Sequence, residues 1–403
     1  MKRLLIVTTI PVTLRAFLLP FARHFRSLGW RVDAMARGIA ACERCRAAFD
    51  QVHEAPWSRS PLDVRNLTRA PGVVRQVVQS GRYDLVHVHT PVAAFVTRWA
   101  LRAAAGEHRP KVIYTAHGFH FHQGAPRLTS AAYKALERTA GQWTDQLVVI
   151  NQEDFEAASR LRIVAPEALH FMPGIGVDTS AWSPRATTAE QIARVRAELG
   201  LGTSDRLFTM LAEFNRGKRH ADAVSALARL ARADVHLALA GIGPLMEQVQ
   251  SQAARLGIGR QVHLLGFRDD VPALVRASTA TLLPSEREGL PRSVMESLSL
   301  GVPVIGAMTR GTRDLLSDGS GLLHAVGDVQ GLAAALCRML DNPQEAQSMG
   351  QCGRKTMAAY DIRRIIELHE SLYAKALMPR RTSPTREGGR PHGFFPRSRA
   401  GLK

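Results

Sequence analysis

Short aliphatic and β-branched runs alternate with amphipathic stretches along almost the whole chain. Strand-like runs lie at residues 4–8, 86–89, 112–115, 147–150, 207–211, 235–240, 262–264, 279–283 and 302–305. Between them come segments such as 221–230, where Val224, Leu227 and Leu230 recur at helical spacing. This βαβα alternation predicts an α/β protein whose parallel sheets are covered by helices on both faces. The pattern pauses at Gly174-Ile175-Gly176-Val177 and a polar stretch, 178–190, follows. The chain is therefore expected to divide into a first domain at 1–175 and a second at 176–361. A last helical segment, 362–378, follows Tyr360 and Asp361. From Pro379 to the end the sequence is rich in Arg, Pro, Gly and Ser without apolar periodicity, so 379–403 is expected to be a basic, disordered tail.

No apolar run approaches the length of a membrane span: the run 16–19 is cut by Pro20 and flanked by Arg15 and Arg23. No signal-peptide pattern follows it, so a cytoplasmic location is expected. With 403 residues, 45% hydrophobic and 22% charged, there is material for two packed domains. The four cysteines make no disulfide framework in a chain this long, and the lone Cys42-x-x-Cys45 lacks the second pair a zinc site needs. His117, His120 and His122 invite a metal reading, but no carboxylate or thiol set accompanies them, and no metal is expected.

Net charge is +18 and unevenly placed. Residues 1–175 hold 23 Lys and Arg against 13 Asp and Glu, residues 176–378 hold 23 against 21, and the tail holds 7 against 1. The excess in the first domain and tail suits an anionic partner. Nucleic acid is not expected, because no recognition motif and no aromatic interleaving accompany the basic stretches.

The densest chemistry lies in Glu288-Gly289-Leu290-Pro291-Arg292-Ser293-Val294-Met295-Glu296. The run 279–283 ends at Pro284, which puts Glu288 in a loop; Pro291 can open a helix that carries Glu296 and stops at Gly301. Two carboxylates then flank a helix N-terminus whose N–H groups are free. That arrangement suits a diphosphate between two polyols: carboxylates accept from vicinal hydroxyls and the helix end takes the negative charge. The plain alternative is a pair of solvated glutamates.

The segment resembles the E-x7-E element of retaining family-4 (group 1) glycosyltransferases with the two-domain GT-B fold, a group that includes bacterial surface-polysaccharide and lipid-linked glycan enzymes. Other segments resemble the group in order: Leu4 to Thr9, Asp84 to Pro91, Tyr114 to His120, Pro173 to Asp178, Glu213 to Lys218, Ala240 to Pro244 and Leu265 to Pro272. The likeness covers roughly residues 1 to 378. It implies two Rossmann-like domains facing each other across a cleft, with the helix 362–378 crossing back to the first.

The resemblance also implies roles. Glu288 would hold the donor sugar, Glu296 the ribose, Arg216 and Lys218 the diphosphate, and the backbone at Gly289 and Leu290 would complete the clamp. His117 would stand beside the donor sugar. Most of the group has an Arg five residues before the Lys, where this chain has Glu213; Arg216 is the candidate replacement. Where many members have a Gly-rich first loop, this chain reads Thr9-Ile10-Pro11-Val12-Thr13, so Thr9 and Thr13 hydroxyls become candidates for the donor or acceptor side. Gly241-Ile242-Gly243-Pro244 reads more as a tight turn with Pro opening a helix than as a phosphate loop. His87 and His89 are expected to part, one to the core and one to the cleft or a helix. No cofactor is expected beyond a UDP-sugar as donor substrate.

The reading is a retaining transferase that moves a hexose or N-acetylhexosamine from a UDP-sugar to a polyisoprenyl-diphosphate-linked saccharide during lipopolysaccharide or capsule assembly, peripheral on the inner face of the plasma membrane. A sugar-nucleotide epimerase on the same fold and a non-catalytic nucleotide-sugar or nucleic-acid binding protein are the alternatives.

Overall fold

The computed structural model describes residues 1–58, 60, 63–103, 109–121 and 126–378; His122 and the tail 379–403 lie outside the described residues. Two parallel sheets form. The first holds β1 (Arg3–Val7), β2 (Arg31–Ala36), β3 (Val52–Glu54), β4 (Leu85–His89), β5 (Lys111–Ala116), β6 (Gln146–Val149) and β7 (Leu169–Phe171) in the order β3-β2-β1-β4-β5-β6-β7. The second holds β8 (Arg206–Leu211), β9 (Val235–Ala240), β10 (Val262–Gly266), β11 (Ala280–Leu283), β12 (Val304–Ala307) and β13 (Gly321–His324) in the order β10-β9-β8-β11-β12-β13. All strands run parallel, and the order in which they are added reverses at one place in each sheet, between β1 and β4 and between β8 and β11. Those reversals are where open parallel sheets leave a crevice at their carboxyl ends.

Both faces of the first sheet are buried, as β1 shows: Leu5 and Val7 join one core cluster, Leu4 and Ile6 the other. The second cluster includes Ile365, Ile366, Leu372, Tyr373 and Ala376, so the final helix, Ile362–Leu377, packs on the first domain's sheet. The chain passes between domains twice, and the two passages are bonded to each other: Val177 N–H donates to Tyr360 O and Ile362 N–H to Val177 O, both at 2.9 Å. A Cβ on Gly176, φ +77°, would lie 2.8 Å from Ile362 Cα, so this close crossing requires glycine.

The first helical region is irregular for a local reason. Residues 11–13 begin it, Leu14–Leu18 form a π turn, and a regular helix runs from Leu19 to Ser27. Pro20 has no N–H to give, and its ring crowds the carbonyl four residues back, which is Ala16. Ala16 O, which Pro20 cannot serve, accepts from Arg292 of the second domain.

Candidate active site

Each sheet delivers its polar residues at its reversal. In the second domain β8 ends at Leu211 and leads into a 3₁₀ turn, Arg216–Lys218, capped by Asn215 Oδ1, which accepts from Lys218 N–H at 3.2 Å. From β11 the chain runs into the loop that carries Glu288. Lys218 Nζ lies 2.6 Å from Glu288 Oε1, and the carboxylate side chain is only 11% exposed. Glu286 N–H donates to Gly217 O at 2.9 Å and ties the two loops together. The structure therefore brings Lys218 and Glu288 together. Arg216 is exposed, and among the described residues nothing holds its guanidinium.

The helix after Pro291 runs from Arg292 to Ser299; Pro291 caps it in an extended conformation instead of opening it. Glu296 pairs with Arg292 on the same helix at 2.6 Å. Burial pushes the Glu296 carboxyl up to about 7, against the lowering pull of Arg292. Arg292 also donates to Ala16 O and lies over the Phe17 ring at 5.4 Å.

The first domain contributes β1, β4 and β5. His117 follows β5, is partly exposed, and its Nε2 lies 3.0 Å from His89 Nδ1. Burial drops the His117 imidazole to about 4, so it is neutral at neutral pH. Thr9 N–H donates to Thr90 Oγ1 at 2.9 Å and the two hydroxyls lie 2.8 Å apart, so the Thr9 side chain is engaged within the domain. Thr13 stands in the short helix beyond and is half-buried. His87 and His89 do not part. Two residues apart on a strand they share a face, their rings 4.1 Å apart, and His87 bonds Tyr373 and Thr115. The turn 241–244 packs on the loop after β8: a Cβ on Gly241 would meet Ala212 O at 2.0 Å, and the helix starts only at Met246, beyond Pro244.

The two domains meet on glycines. A Cβ on Gly289 would stand 1.9 Å from His117 O and one on Gly118 3.1 Å from Gly289 Cα, while within the second domain one on Gly311 would stand 1.9 Å from Gly289 O. Leu290 lies against Gly174, where an added Cβ would be 2.7 Å from its Cδ2. The segment Gly289-Leu290 is thus a point of backbone contact between domains.

Sequence reasoning missed Arg310. Its guanidinium is buried at this contact and donates to Glu288 O at 3.0 Å, Asp154 Oδ1 at 2.6 Å and Phe119 O at 2.7 Å. Asp154 is 1% exposed and also accepts from Phe119 N–H and Asn151. Burial raises its carboxyl above the usual range, opposed by Arg310. A signal was present: Arg310 opens a helix, where the dipole disfavours a cation, so a fixed partner had to be sought.

Residues 16–181 match the family described as "Glycosyltransferase Family 4", and residues 191–356 match "Glycosyl transferases group 1". The chain is 32% identical over 378 residues to the putative glycosyltransferase EpsD of Bacillus subtilis (strain 168), covering 93% of this chain and 96% of that one. The chain belongs to the group 1 glycosyltransferases. It is also 26% identical over 304 residues to the UDP-Gal:alpha-D-GlcNAc-diphosphoundecaprenol alpha-1,3-galactosyltransferase of Escherichia coli, covering 74% of this chain and 77% of that one. The fold is similar to that of Anabaena Alr3699/HepE, solved with UDP and glucose, with a TM-score of 0.77 at 21% identity over 93% of this chain and all of the other. The architecture is GT-B. Among the described residues no helix is long and apolar enough to cross a membrane.

Proposed function

We propose that this glycosyltransferase moves a hexose or N-acetylhexosamine from a UDP-sugar to a polyisoprenyl-diphosphate-linked saccharide, with retention, in surface-polysaccharide assembly. The observation that carries the reading is the Lys218–Glu288 pair at the β8/β11 reversal, facing His117 across the glycine contact. Lys218 is a fixed cation where the diphosphate leaving group gains charge, and such a group stabilises the transition state above the ground state. Glu288 accepts from donor-sugar hydroxyls, Glu296 from the ribose, and His117 bonds the donor sugar near the acceptor. Arg216 supplies a second cation, and N–H groups at Gly289 and Leu290 the remaining donors. Thr13 borders the acceptor side. No metal takes part in this scheme. Support for UDP comes from HepE, solved with UDP, and support for the lipid-linked acceptor from the Escherichia coli relative.

The acceptor's lipid implies work at an anionic bilayer surface, peripheral to the inner face of the plasma membrane. Two helices of the first domain suit that setting. On Arg127–Gly141 the outward side carries Leu128, 88% exposed, and Leu136, flanked by Arg127, Lys134 and Arg138. Val64, just before the helix Arg65–Thr68, and Leu67 within it are also exposed, and both helices pack on the helix Pro91–Leu101. Apolar side chains flanked by cations are the pattern of interfacial helices.

The test is incubation with a panel of UDP- and GDP-sugars, with and without polyprenyl-diphosphate saccharides in phosphatidylglycerol vesicles. Released nucleotide and the anomeric proton coupling of the product are followed by NMR. Acceptor-dependent UDP release with the donor's anomeric configuration is expected. Change of the sugar without acceptor would replace this reading by an epimerase, and inversion would remove the retaining mechanism.

A further inference from the structure

Behind His117 the first domain buries a file of imidazoles that the proposed mechanism does not use. His89 is 1% exposed; its Nδ1 faces His117 Nε2 at 3.0 Å, and its Nε2 is buried with no partner among the described residues. His87, equally buried, has both ring nitrogens occupied, Nδ1 by Tyr373 Oη at 2.6 Å and Nε2 by Thr115 Oγ1 at 2.7 Å. His369 on the final helix gives its Nδ1 to Ile365 O at 2.8 Å. Of these rings only His89 touches His117 through a hydrogen bond.

One proton lies between His89 and His117, and two arrangements share it. If His117 donated, His89 Nδ1 would accept and its proton would sit on Nε2, a buried N–H without an acceptor. Orphaned N–H groups are rare in protein interiors and cost about 1–3 kcal/mol. If His89 Nδ1–H donates, the atom left unpaired is a bare Nε2 acceptor, which interiors tolerate more readily than an orphaned N–H, and His117, accepting at Nε2, carries its own proton on Nδ1. We propose that His89 is a positioning residue that fixes His117 as the Nδ1–H tautomer, so that His117 presents a neutral donor, not an acceptor, to the sugar nucleotide. Neutral imidazole is what the burial-lowered values of His89 and His117 require.

The turn that carries His89 is built to hold it. Thr90 adopts φ +61° and ψ 135°, a conformation a β-branched residue rarely takes and which costs about 1–3 kcal/mol. Its hydroxyl donates to His89 O and accepts from Thr9 N–H, locking the ends of β1 and β4 together at the sheet reversal. Pro91 then starts the following helix. His89 is thus fixed from its own carbonyl side, while the His87 ring lies against its own at 4.1 Å, tilted by 33°.

The proposal rests on the reading of His117 as a donor-sugar contact, but its first test does not. In protein labelled with 15N-histidine, a long-range 1H–15N correlation spectrum of the free enzyme reports the His117 tautomer, assigned with His117→Gln. The Nδ1–H form is expected in the wild type, and the Nε2–H form there would overturn the proposal whatever the activity. In His89→Phe the Nδ1–H preference should be lost, and kcat should fall about 10- to 100-fold, the range for removing the partners that orient metal-bound histidines. KM for the donor should change little. His89→Asn puts an amide N–H where Nδ1–H was and should restore both the tautomer and most of kcat. An unchanged tautomer in His89→Phe, or no rescue by His89→Asn at wild-type thermal stability, would refute it. A correct tautomer with no effect of His89→Phe on transfer would leave His89 in place and remove His117 from the donor site.

Discussion

Gly289→Ala is the smallest substitution that tests whether the backbone contact between domains sets the geometry of transfer. The new Cβ would stand 1.9 Å from His117 O and 2.9 Å from its carbonyl carbon. Real Cβ contacts do not fall below 3.0 Å, so the two backbones must part by about 1.1 Å. Both partners are main chain, and neither can swing aside as a long side chain would. Retreat of Gly289 is blocked from behind, because Gly311 approaches so closely that its own Cβ would lie 1.9 Å from Gly289 O. The displacement therefore falls on the separation between His117 and the Lys218–Glu288 pair. Misplacing reacting groups by ~1 Å costs on the order of 100-fold in rate, or about 2.7 kcal/mol of barrier.

The assay is kcat/KM for transfer from the donor identified by the screen, with thermal unfolding in parallel. The expected result is a fall of about 100-fold with the protein folded. Gly72→Ala is the control: it lies in the helix Ala70–Gly81 with open space where its Cβ would be, so activity should hold and stability rise by roughly 0.5–1 kcal/mol. Wild-type kcat/KM in Gly289→Ala would refute the claim that this contact fixes the active geometry.

Lys218→Ala should lower kcat by about 100- to 1,000-fold, the effect of removing one transition-state charge donor, and Glu288→Gln should abolish most transfer; unchanged turnover in both would remove the pair from the reaction. Asp154→Asn leaves Arg310 buried without its counter-charge and should cost about 3–5 kcal/mol in urea unfolding, whereas a loss below ~1 kcal/mol would mean that Arg310 reaches water. Glu296 gives a pH dependence: its folded value is raised to about 7 from 4.5, so between those limits the folded state holds the proton more tightly than the unfolded chain. Stability should therefore decline as pH rises from about 4.5 to 7, by at most ~3 kcal/mol, and level off above. Differential scanning calorimetry of the wild type and Glu296→Gln across that range should show the decline only in the wild type.

Much of the fold was legible because its periodicity is undisturbed. The run 235–240 is β9 to the residue, and the segment that begins at Ile362 is a helix ending at Leu377. The unflagged strands each had a physical disguise. In β2 the sequence Arg-Val-Asp-Ala-Met-Ala breaks its apolar run with Asp33, fully buried and held by Tyr83 Oη at 2.5 Å and Gln51 N–H at 3.0 Å. β3 and β7 are three-residue edge strands and β13, Gly-Leu-Leu-His, is a four-residue one, all too short for a pattern. At the site, Glu288 and Lys218 could be placed because each follows a strong strand signal. His87 and His89 were separated although the two-residue strand period puts them on one face. Arg310 was hidden because its partners, Asp154 and Phe119, lie more than 150 residues away and its contacts exist only when the domains meet.

The two glutamates at the site share a further property that the sequence conceals. Each is gripped by an arginine that also grips the opposite domain. Arg310 bonds Glu288 O while holding Asp154 and Phe119 O, and Arg292 pairs with Glu296 while donating to Ala16 O. Two of the three far-side acceptors have local reasons: Pro20 has no N–H to give Ala16 O, and Asn151 and Phe119 N–H hold Asp154 in place for Arg310. Hydrogen bonds of this kind weaken steeply beyond 3.5 Å, so opening the cleft by a single ångström breaks both grips together. Arg310 and Arg292 keep Glu288 O and Glu296 as partners within the second domain, but the far-side contacts that fix their guanidiniums are complete only while the domains are closed.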